Sequence, residues 1–192
     1  MFEAISGLSA AFGLSGSAGL NAYIPLLLVA LAARFPMSDP LVKLTPPFDL
    51  LGSSWAIGLI AVLLVVEIVA DKIPAVDSVN DAIQTFIRPA AGAILFAGSA
   101  NVITDIHPIL ALGSGLLVAG GVHATKTAAR PVVTVTTGGV GNPVVSTLED
   151  IVAFVVSLLA ILLPIIAALL LLTFLFVVIY FVRRWRQRRT LV

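Results

Sequence analysis

Pro74-Ala75-Val76-Asp77-Ser78-Val79-Asn80-Asp81-Ala82-Ile83 and Pro143-Val144-Val145-Ser146-Thr147-Leu148-Glu149-Asp150-Ile151-Val152 are two versions of one motif. Each opens on Pro. Three residues later comes a side chain suited to capping a helix N-terminus, Asp77 or Ser146. Three further on stands a polar residue able to reach back, Asn80 or Glu149, followed in both by Asp. Ser146-x-x-Glu149 has the form of a full capping box. Both copies lie between apolar segments of membrane length. The pair therefore reads as a duplicated polar site, built on capped helix starts, inside a membrane protein.

The surrounding composition supports that setting. Of the 192 residues 59% are hydrophobic and 11% charged, against about 25% charged in soluble domains, and the mean hydropathy is +1.13. The length suits one domain. We expect an all-α, polytopic transmembrane helical bundle over residues 1–182, with pseudo-repeats at about 5–105 and 106–182. A basic tail, 183–192, follows. The net charge is only +1, but five of the eleven basic residues are Arg183, Arg184, Arg186, Arg188 and Arg189, directly after an apolar run. Such a cluster marks the cytoplasmic side and can meet lipid headgroups. A tail so short and so close to the bilayer is a poor nucleic-acid binder. With no Cys, disulfides and thiolate metal sites are excluded. Glu3 stands where a signal peptide would carry a positive charge, so no cleaved leader is expected.

Outward from the motifs the chain divides as follows. Residues 4–33 are apolar. Gly13, Gly16 and Gly19 recur every three residues, and Ala11, Ser15 and Gly19 every four. This spacing lets helices approach closely in lipid, and Pro25 is placed to bend or break the segment. A loop over 35–53 holds Pro36, Pro40, Pro46 and Pro47. A span over 54–71 carries Glu67 within it and Asp71-Lys72 at its end. A short polar helix is expected at 77–87, then an apolar segment from Pro89 to about 104, a turn at Asp105-Ile106-His107-Pro108, and a Gly-rich span at 109–125. Residues 131–145 read as irregular. The last apolar run, 151–182, would extend about 48 Å as one helix, against a bilayer core of about 30 Å. Either it kinks at Pro164 and projects beyond the membrane, or two short arms bend there. The first agrees with the lack of a polar turn near Pro164. The second places Lys72, Arg88, Lys126 and Arg130 on the same side as the tail, as the positive-inside rule favours. Five and six spans both fit, with Pro-broken or re-entrant short helices in either case.

A second echo joins the halves. Gly13-Leu14 with Gly19-Leu20-Asn21-Ala22 aligns without a gap on Gly115-Leu116 with Gly121-Val122-His123-Ala124. Matching interrupted segments in two halves point to a transporter-like site near the midplane. Similar helix caps recurring by chance are the alternative to duplication.

These same residues carry a resemblance. Ala70-Asp71-Lys72-Ile73-Pro74 with Asp77, Asp81 and Arg88-Pro89 is similar to the uncharacterised bacterial membrane family known as domain of unknown function 4126. So are Gly19-Leu20-Asn21-Ala22-Tyr23, His123-Ala124-Thr125-Lys126, and Asn142-Pro143 with Ser146, Glu149 and Asp150. The resemblance covers about residues 5–180. It implies a one-domain, multi-pass protein of the bacterial inner membrane, and it implies no activity.

Ionisable groups at membrane depth are costly and are functional candidates. Glu67 reads either as a site residue or as a side chain reaching the interface, and it shares a helix face with Asp71. Asp71-Lys72 reads as a local interfacial pair. Asp77 and Ser146 read first as caps. Asp81 and Asp150 lie just past them, where acids favour the helix dipole. Together with Glu149, Asn21 and His123, they could instead bind a proton or an oxygen-preferring ion such as Na⁺ or Mg²⁺. His123, Lys126 and Arg130 share one face; histidine can relay protons. Lys72, Arg88, Lys126 and Arg130 form a candidate set for an anion or lipid phosphate, although basic residues leaving the membrane need no ligand. The Thr134–Gly141 stretch lacks the phosphate-binding Gly-x4-Gly-Lys pattern. No nucleophile elbow and no His-Glu-x-x-His occur, so neither an enzyme nor a cofactor is expected.

The expected function is transport or channelling of an ion or small solute, coupled to H⁺ or Na⁺, through an acidic site at the paired motifs. The first alternative is a flippase-like protein handling lipid phosphate. The second is a structural or accessory subunit. Expected partners are the bilayer, the solute and, from size alone, further copies of the chain.

Overall fold

The computed structural model describes residues 2–35, 44, 46–99 and 106–189. They form seven α-helices and a 3-10 turn at Phe48–Gly52: α1 Phe2–Leu20, α2 Tyr23–Arg34, α3 Ser54–Ala70, α4 Pro74–Ser99, α5 Pro108–Thr137, α6 Asn142–Leu162 and α7 Pro164–Arg189. The described residues contain no strand, and the all-α expectation holds.

Proline chemistry explains the breaks. Pro25 has no N–H, and its ring crowds the carbonyl four residues earlier, that of Asn21. The helix is interrupted at Asn21 and Ala22, although Ala22 keeps helical dihedrals, φ −69° and ψ −40°. The Asn21 side chain then heals the gap, accepting from Tyr23 N at 3.0 Å and Ile24 N at 3.1 Å. At the other end of the chain α6 stops at Leu162, Leu163 takes φ −138° and ψ 63°, and Pro164 opens α7. The run 151–182 is therefore two helices. Leu170 of α7 shares a groove wall with Val152 and Val156 of α6, and α7 packs on α1 as well as on α6.

Three expectations change. The polar helix at 77–87 and the apolar segment after Pro89 are one helix, α4, which runs through Pro89; membrane-type helices tolerate an internal Pro when neighbours satisfy the freed groups. Residues 131–137, read as irregular, complete α5. Their threonines bond back to the helix, Thr134 Oγ1 to Arg130 O at 3.1 Å and Thr137 Oγ1 to Val133 O at 2.7 Å. The turn falls instead at Gly138 and Gly139, with φ 61° and 87°, the left-handed geometry that glycine adopts without cost. Finally, α6 starts at Asn142 with Pro143 in its first turn, where a fixed φ is favourable. Ser146 thus lies inside the helix and is not its cap. Likewise Asp77 falls inside α4, which begins at Pro74. Pro36, Pro40 and Asp105 and the segment 100–104 lie outside the described residues.

Helix α1 contacts α4, α5, α6 and α7, and its small residues explain why. Ser15 Oγ donates to Gly92 O of α4 at 2.9 Å, and Ser17 Oγ to Ala153 O of α6 at 2.7 Å. A Cβ at Gly19 would lie 2.5 Å from Ala119 O, and one at Gly92 would lie 2.8 Å from Gly115 O and collide with the Ala119 methyl. The α1–α5 and α4–α5 crossings are therefore backbone-to-backbone. Leu14, Ala18, Ala22, Leu26, Val29, Leu95 and Ala119 fill the apolar part of the core.

Polarity is arranged inside out. On α3 the exposed face is Leu59, Val62, Val65, Val66 and Val69, while Glu67 is buried. On α6 Ile151, Phe154, Val155 and Leu162 are exposed, while Ser146 and Ser157 are buried. Soluble proteins rarely expose large contiguous apolar faces. Among the described residues two helices, α5 and α6, are long and apolar enough to cross a membrane. An apolar exterior with such helices is suited to association with lipid.

Candidate functional site

The polar interior gathers where five elements meet: the α1–α2 break, the end of α3, the first half of α4, the second half of α5 and the start of α6. Periodicity puts the residues there. Glu67 and Asp71 are one turn apart, and Asp81, Gln84 and Arg88, like His123, Lys126 and Arg130, fall on successive turns, so each helix presents its polar groups on one face.

Arg88 is at the centre and has no exposure. Its Nη2 donates to Glu67 Oε1 at 3.0 Å, and its Nη1 to His123 Nδ1 at 3.1 Å. Because the guanidinium can only donate, Nδ1 must accept. The imidazole proton then sits on Nε2, which faces Thr85 Oγ1 at 3.2 Å. Asp71 Oδ2 lies 4.0 Å from both Arg88 Nη2 and Arg130 Nη2. Asp81 lies 3.8 Å from Arg88 and 3.9 Å from Arg130. Glu149 Oε2 is held by Lys126 Nζ at 2.8 Å and Arg130 Nη2 at 3.2 Å. Lys126 also donates to Leu20 O at 3.3 Å, satisfying the last carbonyl of α1. Asp150 Oδ1 accepts from Asn21 Nδ2 at 2.9 Å, so the α1–α2 break is tied to the second motif.

The structure thus merges what sequence reasoning kept as two sets. The candidate cation binders Glu67, Asp81 and Glu149 are ion-paired with the candidate phosphate binders Arg88, Lys126 and Arg130. Asn21, His123, Asp150 and Ser146 join the same cluster. Lys72 stays at its edge: it is exposed, its Nζ reaches Ile68 O at 3.4 Å, and its charge acts on Asp150. The side chain of Asp77 lies outside the described residues.

Two roles are corrected. Asp71 is not half of an interfacial pair with Lys72. It is 2% exposed and accepts from Asn80 Nδ2 at 2.6 Å and Ser146 Oγ at 3.1 Å. Those donors are the very residues read as capping groups, one from each motif. With their helices starting a turn earlier, both are free to converge on one carboxylate. Glu149 likewise reaches across to α5 and not back to its own helix start. Gln84, 2% exposed, was missed. Its signals in the sequence are its spacings of three from Asp81 and four from Arg88.

Five carboxylates, Glu67, Asp71, Asp81, Glu149 and Asp150, share this cluster with three cations, Arg88, Lys126 and Arg130. Fully ionised, it would hold more negative than positive charge, with Glu67 and Asp71 buried and Asp81, Glu149 and Asp150 only partly exposed, which is unfavourable. Among the described residues no three His, Cys, Asp or Glu side chains group to hold a metal ion; each acid instead faces a cation or an amide or hydroxyl donor. The chemistry available is therefore proton uptake by surplus carboxyls and exchange of ion-pair partners. Asp71 and Asp81, nearly equidistant from Arg88 and Arg130, are placed for such exchange.

No curated protein and no solved structure matches the chain. The model of one family does, over residues 8–184, and it takes in every residue of the cluster. The chain therefore belongs to the family described as domain of unknown function (DUF4126).

Proposed function

We propose that this protein is a multi-pass inner-membrane transporter or channel for an ion or small solute, with proton coupling through the buried charge cluster. The carrying observation is the surplus of carboxylates over cations in a cluster enclosed by helices whose outer faces are apolar. Buried charge is retained at such cost mainly where it acts. Protonation of one acid would release its cation to another, and repacking of α3, α4, α5 and α6 around the new pairs would distinguish two access states. Coupling requires this kind of differential interaction with the two states. The two motifs, which meet at Asp71 through Asn80 of one and Ser146 of the other, are the sequence basis for a two-fold internal repeat with the site between its halves. The Arg-rich end of α7 is assigned to the cytoplasmic side.

The test is ion and proton flux in proteoliposomes, comparing the intact protein with the double variant Asp81→Asn, Asp150→Asn. Flux that disappears in a folded variant supports the pathway. Absence of flux from the intact protein across H⁺, Na⁺, K⁺, Mg²⁺ and Cl⁻ removes the ion reading.

One observation favours the lipid-handling alternative. A groove of about 560 Å³ between α1, α5, α6 and α7 has apolar walls, among them Leu20, Val122, Leu148 and Val156, and Lys126 and Glu149 line it too. An acyl chain fits such walls, with a charged headgroup at the ion pair. Phospholipid that copurifies with the protein and is lost in Lys126→Leu would support this alternative.

A further inference from the structure

The cluster is not satisfied throughout. Glu67 Oε2, Gln84 Oε1 and Arg88 Nε are buried with no hydrogen-bond partner. Their residues are 1%, 2% and 0% exposed. Buried polar atoms are nearly always paired, and an exception needs a physical cause. Two of these atoms are acceptors and one is a donor. Arg88 Nε can serve one of the two acceptors at most, and the Tyr23 hydroxyl is the other donor beside them. Glu67 and Arg88 are joined through Oε1, Gln84 is one turn from Arg88 on the same face of α4, and the phenol of Tyr23 at the start of α2 neighbours both Glu67 and Gln84.

We infer that Glu67 is a proton-binding carboxyl, with the proton on Oε2, Gln84 and Tyr23 forming the side that receives it, and Arg88 held on Oε1. The proton turns Oε2 from an acceptor into a donor able to serve Gln84 Oε1, and it removes one charge from a cluster with more carboxylates than cations. The groups around Glu67 from each packed element are Arg88, Gln84 and Asp81 on α4, Lys126 and His123 on α5, Tyr23 on α2 and Asp71 on its own helix. When the proton leaves Oε2, Glu67 becomes a full anion and takes a larger share of Arg88. When it returns, Arg88 keeps its contact with Oε1 but shares more of its charge with Asp71 and Asp81, 4.0 and 3.8 Å away. Proton binding at Glu67 would thereby set which acids Arg88 pairs with.

This inference rests on the proton-coupled reading above but is tested without flux. Infrared difference spectra of the full chain in lipid, recorded across a pH titration in H₂O and D₂O, report neutral carboxyl groups directly. The expected result is a carboxylic-acid C=O band at neutral pH that shifts in D₂O and is lost in Glu67→Gln. In Gln84→Leu the band persists but moves to higher frequency, because its hydrogen-bond acceptor is gone. This second variant keeps the test open if Glu67→Gln does not fold. A spectrum without that band, or a band unchanged in both variants, overturns the proposal: Glu67 is then ionised and water satisfies the three atoms. A band that behaves as expected in a protein without flux sustains the proton site and rejects the transport reading. Flux without the band does the reverse.

Discussion

Arg88 shows how one side chain organises this interior. It touches Glu67 and His123 and stands within 4.0 Å of Asp71. Removing one partner of a buried ion pair leaves the other uncompensated, at about 3–5 kcal/mol. We expect Arg88→Leu to lower stability by about that amount, measured as loss of the folded fraction in a denaturant titration in detergent; a change below about 1 kcal/mol would contradict a central role. Asn21 does two jobs, capping α2 with its oxygen and holding Asp150 with its nitrogen. Asn21→Ala should cost about 1–2 kcal/mol from the cap alone. Asn21→Asp keeps the cap but sets a second carboxylate against Asp150. Unfolding titrations should therefore rank Asn21→Asp below wild type at neutral pH and bring it closer at low pH, where the pair shares a proton.

Among the elements, close helix crossings carry the architecture. The α4–α5 crossing works because Gly92 and Gly115 face each other and Ala119 follows one turn later. Enlarging either glycine forces the helices apart, and overpacking of this kind costs about 1–3 kcal/mol or more. Gly115→Leu should therefore lower the thermal midpoint clearly. Gly113→Leu, where a side chain meets open space, should leave it nearly unchanged. Equal effects of the two would mean that the crossing does not depend on backbone approach. The α5–α6 turn matters for the same reason. Gly138 and Gly139 supply the left-handed residues, so α6 begins at Asn142 and delivers Ser146, Glu149 and Asp150 to the cluster in register.

For the molecule as a whole the decisive feature is its inverted polarity. Nitroxides placed at Val62 and Val66, both on the exposed face of α3, should collide freely with oxygen and hardly at all with a water-soluble nickel reagent in proteoliposomes. A label at Ile60, on the buried face, should meet neither. Free access of nickel to Val62 and Val66 would place α3 in water and remove the multi-pass reading. The apolar outer faces of α3 and α6 are also where a symmetric assembly of copies would be sought.

Composition and small-residue spacing are enough to read an all-helical chain with helices apolar enough to cross a membrane, the breaks near Pro25 and Pro164, and most members of the polar cluster, because hydropathy and proline geometry act locally. Helix starts were misjudged. A capping box competes with proline and glycine a few residues away, and at Pro143 the latter prevailed. Nothing local told that Ser146 and Asn80 would serve Asp71, that Lys72 would stay at the edge, or that the acidic and basic candidates would pair with one another. Those pairings join residues 75 positions apart for Ser146 and Asp71, and 21 apart for Glu67 and Arg88. They follow from which helix faces meet, and that is set by backbone contact at Gly19, Gly92 and Gly115, where the absence of a side chain brings distant charges within reach.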